Sequence, residues 1–423
     1  MWSDRLSERR RRQLVERLRS VLPAPAAGSR GSRTPLRPGR AVSHPFPDAV
    51  AAELRERGER LAWLDGGPGA HRIYARPYAS LTVRKGRAKV DGPHGDLSFR
   101  AGGFDLLEAA FAAWGGTAGA ALVGYFGYEL AGELEPLPPP PPDDLGLPDL
   151  HLELYLAGLL WDGRGWTLEA TDAWGILPFS VVETEQLLEK AARRPAPDLA
   201  VGKMATGPVV SRPGQAGFKA AVERIRERIA RGDIFQANLC RRLEAPLPEE
   251  SVWPLYRRLR AASPADHGAF FNLGEGRALL SVSPELYLSV RGDQVETRPI
   301  KGTRPRGANP REDRALAREL SESEKDRAEL TMIVDVARND LGRVCDAGSV
   351  QVPAHAELVT LPTLHHTVST VRGRLLPDRG ISGVADLLRA SFPPASITGA
   401  PKIRAMSILA GEEEVRRGPA MGA

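Results

Sequence analysis

Apolar residues recur along the chain at two different spacings, and the switches between them mark its elements. Phe218, Val222, Ile225 and Ile229 return every three or four residues, which predicts a helix with one buried face, and Gly232 stands just past its end. Leu150, Leu152, Leu154 and Leu156 alternate with His151, Glu153 and Tyr155, the pattern of a half-buried strand, and run toward an Asp162-Gly163 turn. Leu286, Leu288 and Val290 alternate up to Gly292-Asp293, a hairpin signal, and Val295 lies on the return arm. Further along that arm Lys301 sits between Ile300 and Gly302, and it is read as ending a strand. Residues 326–340 read as a helix. His366 falls on the same side of a strand as Leu364 and Val368, with His365 facing away. Ile403, Met406 and Leu409 mark a last helix with Pro401 in its first turn.

Composition sets the scale of the molecule. With 423 residues, 42% of them hydrophobic, the chain can bury one large core or two ordinary ones. Cys240 and Cys345 are too few and too widely spaced for a disulfide framework or a zinc ribbon. No apolar run approaches the roughly 20 residues of a membrane span, so a cytoplasmic protein without a membrane partner is expected. The net charge of +5 suggests nucleic acid only until it is located. Residues 1–40 hold eleven Arg and three acids, or +8, which leaves the rest of the chain at −3. The body is mildly acidic, and nucleic acid is not the expected partner. The basic signal belongs to residues 1–43, read as an Arg/Pro-rich disordered arm with an amphipathic stretch over 2–22. A first globular region is then expected at 44–192, a Pro- and Gly-bearing linker at 193–215, and a second region at 216–423.

Several residues offer chemistry. A lysine amine is a nucleophile only when unprotonated, which requires desolvation or nearby cations. Lys301 between two apolar or small neighbours suits that, although a solvated lysine in a turn would look the same locally. Asp326 and Glu329 lie three apart and share one helix face, where they could hold a divalent cation or pair with Lys325 and Arg327 on a surface. His366 on an apolar strand face fits a core histidine as well as a catalytic one. Residues 396–402 open a helix whose first free N–H groups could receive an anion. The GxxxxGK[ST] pattern of a nucleotide loop is missing.

Five ordered motifs together resemble a known family. Ser283-Pro284-Glu285, Pro299-Ile300-Lys301-Gly302-Thr303, the run Asp326-Arg327-Ala328-Glu329 through Asn339-Asp340, His365-His366-Thr367-Val368-Ser369 and Ser396-Ile397-Thr398-Gly399-Ala400-Pro401-Lys402 look like those of the chorismate-utilising enzymes. Within that family the chain resembles the aminodeoxychorismate synthase component I branch, strongly from about residue 216 and more faintly over about 45–190. The resemblance implies an α+β fold of the anthranilate synthase component I kind, with two facing antiparallel β-sheets and helices packed outside. It implies that Lys301 attacks ring carbon 2 of chorismate, that Glu285 serves as acid and then base, and that His366 lies beside the substrate. Thr303, Ser396, Thr398, Gly399 and Ala400 would contact substrate, and Asp326 and Glu329 would hold Mg2+. Ammonia would come from a glutamine amidotransferase subunit, and the product would be 4-amino-4-deoxychorismate, for p-aminobenzoate and folate synthesis.

Two alternatives stay open. Anthranilate synthase component I shares the scaffold but carries alanine at the position of Lys301, and a non-catalytic binding or assembly protein would share it without turnover. The run Glu414-Val415-Arg416-Arg417-Gly418-Pro419 resembles the point where relatives continue into further strands and a helix, supplying an arginine and a second pair of metal-binding glutamates. On that resemblance the chain is expected to be C-terminally incomplete and to turn over poorly.

Overall fold

A computed structural model describes residues 7–26, 28–36, 45–66, 69–195, 207–377 and 382–423. The fold is α+β, with multi-stranded antiparallel sheets flanked by helices. The chain divides into two compact units that interleave in sequence. Residues 1–125, 150–205 and 247–284 form the first, and 126–149, 206–246 and 285–423 the second. Interleaving follows from strand pairing: Gly268–Phe271 are hydrogen-bonded neighbours of Asp65–Ala62, so residues 247–284 fold with the first unit, although the sequence groups them with the second. Much of the expected linker, residues 196–206, lies outside the described residues.

In the first unit a seven-stranded sheet runs, edge to edge, through Gly31–Leu36, Trp166–Thr171, Ala157–Trp161, His71–Ala75, Leu61–Asp65, His267–Gly274 and Arg277–Ser283. Helices Pro47–Glu56, Val181–Ala192 and Val252–Ala262 cover one face through Val50, Leu54, Trp63, Trp166, Leu188, Tyr256 and Phe270. The other face meets a five-stranded sheet: Ala62, Tyr74 and Phe271 pack against Val123, Tyr125 and Tyr155. These two sheets do face each other, as the resemblance implies.

Two expectations are corrected here. Strand Leu150–Tyr155 is buried along its whole length rather than half-buried. It is an inner strand, and the face bearing His151, Glu153 and Tyr155 turns toward the seven-stranded sheet, where the His151 and Phe271 rings are 5.4 Å apart. Its polar groups are partnered instead of solvated: Glu153 accepts from Arg60 and from the Tyr155 hydroxyl.

The second correction concerns the arm. Of residues 1–43, 1–6, 27 and 37–43 lie outside the described residues, but Glu8–Val21 is a helix with Leu14, Leu18 and Val21 buried, and it packs on helix Gly103–Trp114. Gly31–Leu36 pairs with Trp166–Thr171 as an edge strand. Backbone pairing needs no apolar composition, and an edge strand tolerates Pro35, which is why a Pro/Gly/Ser-rich tract misreads as coil.

In the second unit the long strand Leu364–Arg374 is central. Gln294–Arg298 and Ile300–Pro305 pair along one side of it, Gln351–Thr360 along the other, and Leu286–Arg291 extends the sheet beyond Gln294–Arg298. Helix Glu324–Gly342 lies on this sheet through Leu330, Val334 and Leu341, packed with Val295, Val371 and Leu387.

Truncating Leu18, which is fully buried, to alanine should cost about 2–5 kcal/mol. Chemical denaturation of Leu18→Ala reads this directly, and a change below about 0.5 kcal/mol, the range of an exposed substitution, would return residues 7–36 to the status of a loose arm.

Candidate active site

The site begins at the predicted hairpin. Leu286–Arg291 and Gln294–Arg298 pair across Gly292-Asp293, with Gly292 at φ +62°, and Glu285 immediately precedes the first arm. Lys301 does not end a strand, as its sequence setting suggested. It is the second residue of Ile300–Pro305, a new strand that begins after a break at Pro299. Gly302 follows at φ +83°, and the register against Leu364–Arg374 shifts between Lys301 and Thr303. A Cβ at Gly302 would stand 2.8 Å from Thr367 Oγ1, 2.9 Å from Leu320 Cδ1 and 3.0 Å from Asp326 Cβ. Glycine is thus required both by the backbone angle and by the approach of the Asp326 helix.

The Lys301 amine turns inward and donates to the carbonyl of Ser396, a residue 95 positions away. Burial lowers its pKa from the ordinary 10.5, against the opposing pull of the Glu285 and Glu329 charges. Glu285 is displaced the other way. Burial raises its carboxyl above the ordinary 4.5, opposed by the Ser396 hydroxyl, the Ile300 N–H at 3.2 Å and the Lys301 charge. Lys301, Glu285, Ser396 and Glu329 are therefore brought into one electrostatic neighbourhood, and burial favours the neutral amine and the neutral acid together.

His366, buried on the central strand, has Nδ1 2.9 Å from Thr303 Oγ1 and 3.4 Å from the Gly302 carbonyl. Burial lowers its pKa, which keeps the ring neutral at physiological pH. His365 points elsewhere, toward Asp313 at 3.0 Å and Thr360 at 2.9 Å. Thr303 itself is solvent-exposed, and its hydroxyl is shared with His366.

Asp326 and Glu329 lie on helix Glu324–Gly342, which Ser323 caps through the Asp326 N–H. Arg304 reaches Asp326 at 3.1 Å, and Lys325 lies 3.9 Å from Glu329. Among the described residues no group of three or more metal-ligating side chains assembles. Two adjacent carboxylates still match a hard cation that takes its remaining ligands from water and substrate.

The 396–402 segment is more internally committed than its sequence suggests. Ser396 and Thr398 are buried, and the Thr398 hydroxyl donates to the Pro394 carbonyl at 2.9 Å. Gly399, at φ +146°, and Ala400 pair with Ala237 and Gln236. A Cβ at Gly399 would fall 2.3 Å from the Gln236 carbonyl oxygen. Helix Lys402–Glu412 starts one residue after Pro401, and the Lys402 amine turns to Asp340 at 2.7 Å and the Ser391 carbonyl at 2.9 Å. Asn238 also belongs to the site: its amide donates to the Ser396 carbonyl at 2.7 Å, the same oxygen that takes the Lys301 amine. The adjoining residue pattern gave no sign of that contact, which spans 158 positions.

The raised Glu285 carboxyl has a measurable consequence. The folded chain keeps a proton there that the unfolded chain loses near pH 4.5, so this group's contribution to stability falls as pH rises through its folded pKa. Glu285→Gln should gain stability relative to the parent as pH is raised from about 4.5 to the folded pKa and level off above it, as read from denaturation midpoints across pH 4 to 8. A pH-independent difference would mean the carboxyl is solvated.

The family model for chorismate binding enzyme matches residues 58–423. Anthranilate synthase component 1 of Streptomyces coelicolor is 39% identical over 324 residues, covering 71% of this chain and 61% of that protein. Aminodeoxychorismate synthase component 1 of Klebsiella aerogenes is 38% identical over 295 residues, covering 70% and 62%. The crystal structure of anthranilate synthase component I from Streptococcus pneumoniae superposes with a TM-score of 0.70 at 27% identity, covering 84% of this chain and 79% of that one. The chain spans about three-fifths of the length of the curated relatives it matches. With one family model running from residue 58 to residue 423, the chain belongs to the chorismate binding enzymes.

Proposed function

We propose that this chain carries the chorismate-binding and amination chemistry of a two-component synthase that takes ammonia from a glutamine amidotransferase subunit. The observation that carries the reading is the Lys301 amine, desolvated and held at the Ser396 carbonyl near a carboxyl that burial favours in its protonated form. An amine that is neutral without a large proton cost is a competent nucleophile, and a protonated carboxyl is a competent acid toward a leaving hydroxyl. The amine forms a bond to ring carbon 2 as the ring double bond shifts and the carbon 4 hydroxyl leaves, taking the Glu285 proton to become water. The proton released by the new ammonium returns to Glu285. Ammonia then adds at carbon 4 as the double bond shifts back, and the Lys301 nitrogen takes the proton from Glu285 and leaves carbon 2 as the free amine. His366, held neutral, orients against Thr303 beside this strand. Asp326 and Glu329 would hold Mg2+, which supplies charge to balance a substrate carboxylate.

Two products are compatible with family membership. The comparisons favour anthranilate, since the Streptomyces coelicolor and Streptococcus pneumoniae relatives are both anthranilate synthases. The specific observation in favour of 4-amino-4-deoxychorismate is Lys301 itself, whose attack defines that branch and which the anthranilate branch replaces with alanine.

Incubation with chorismate, ammonium and Mg2+ followed by product identification and intact-protein mass spectrometry separates these. The amination reading predicts ammonia-dependent product that EDTA suppresses. The lysine route adds a chorismate-minus-water adduct that maps to Lys301, and Lys301→Ala should abolish it. Anthranilate with an unmodified lysine assigns the anthranilate branch. Neither product nor adduct would overturn the enzymatic reading and leave a binding or assembly protein.

A further inference from the structure

The loop that carries Ser396 is held from behind by one buried guanidinium. The Arg417 side chain is 2% exposed. Its Nη1 donates to the Ile397 carbonyl at 3.0 Å and its Nη2 to the Asn238 carbonyl at 2.6 Å. Nε and Nη2 reach the Glu413 carboxylate at 2.9 Å and 2.7 Å, and the Tyr128 ring centre lies 4.2 Å from the guanidinium carbon. Glu413 in turn accepts the Cys240 backbone N–H at 2.9 Å. The backbone here is anchored too, because the N–H groups of Arg417 and Gly418 donate to Glu129 at 2.8 Å and 3.1 Å.

These contacts converge on one oxygen. Asn238 and Ile397, the two residues whose carbonyls Arg417 binds, flank the Ser396 carbonyl: Ile397 is its chain neighbour, and the Asn238 amide donates to it. That carbonyl is the acceptor for the Lys301 amine. A guanidinium buried this deeply is unfavourable unless its N–H groups find acceptors, and its planar fork can span a carboxylate and two carbonyls at once, which an ammonium cannot. We propose that Arg417 is a positioning residue for Lys301, fixing through the Asn238 and Ile397 carbonyls the Ser396 oxygen against which the amine is held. Its catalytic consequence rests on the amination reading above, whereas its structural content does not.

The test uses the full chain with Arg417→Lys, with Glu413→Gln, and with Leu387→Ala as a core truncation in the packing between helix Ser382–Ser391 and the sheet. Hydrogen–deuterium exchange should speed at least tenfold in peptides covering 236–240 and 395–400 of Arg417→Lys, with strand Leu364–Arg374 unchanged. Adduct formation on Lys301 at saturating chorismate should slow at least tenfold in the same variant, while the chorismate concentration for half-saturation moves less than threefold. Leu387→Ala should lower the thermal midpoint and leave the adduct rate as it was, which separates positioning from stability alone. Unchanged exchange in the two loops, or a parental adduct rate in Arg417→Lys, would overturn the proposal. Should Arg417→Lys not fold, Glu413→Gln keeps the shape and removes the charge that orients the guanidinium, and at least threefold effects on both readouts are expected there. If the parent chain forms no adduct, the lysine route fails, and the exchange result alone decides the positioning.

Discussion

The site depends on a close approach that only a glycine permits. At Gly302 the strand bulges, and Thr367, Leu320 and Asp326 come so near that a Cβ would stand 2.8 to 3.0 Å from all three. That approach lets helix Glu324–Gly342 lie against the strand next to Lys301. Gly399 makes the corresponding approach on the opposite loop, meeting the Gln236 carbonyl oxygen and so bringing Ser396 within reach of the amine.

Burial then acts on two groups of opposite type in the same direction. It raises Glu285 and lowers Lys301, so each is shifted toward its neutral form, while their mutual attraction opposes both shifts. An acid and an amine with converging proton affinities exchange a proton at less cost than the same groups in water, which is what a nucleophile and its acid need from each other. Outside this neighbourhood Arg304 pairs with Asp326 and Lys402 with Asp340, and these contacts help set the helix in place.

Much of this was legible in the sequence because it is local. The Gly292-Asp293 hairpin, the helix bearing Asp326 and Glu329, and the strand bearing His366 all follow from short-range periodicity and turn chemistry. The α+β class and the facing sheets came from motif resemblance. What could not be read are the contacts between distant segments. Ser396 meets Lys301 across 95 positions and Asn238 across 158, and no spacing rule reaches that far. Burial of Glu153 and His151 was misread for a related reason: alternation reports which residues share a face, but not whether a second sheet covers it. The edge strand Gly31–Leu36 was missed because its composition is that of a loop, and its pairing with Trp166–Thr171 is a property of the partner.

The central claim is that burial, more than any single neighbour, sets the state of the Lys301 amine. The most direct measurement is the titration of that amine in the folded protein, followed by NMR of 13C-labelled lysine with Lys301→Met to assign the resonance. The account predicts a midpoint below the ordinary 10.5. Because the unfolded chain then holds its proton to higher pH than the folded one, this group's contribution to stability should rise with pH between the two values. A midpoint at or above 10.5 would show that the Glu285 and Glu329 charges outweigh desolvation, leaving a structural ion pair where a nucleophile is claimed.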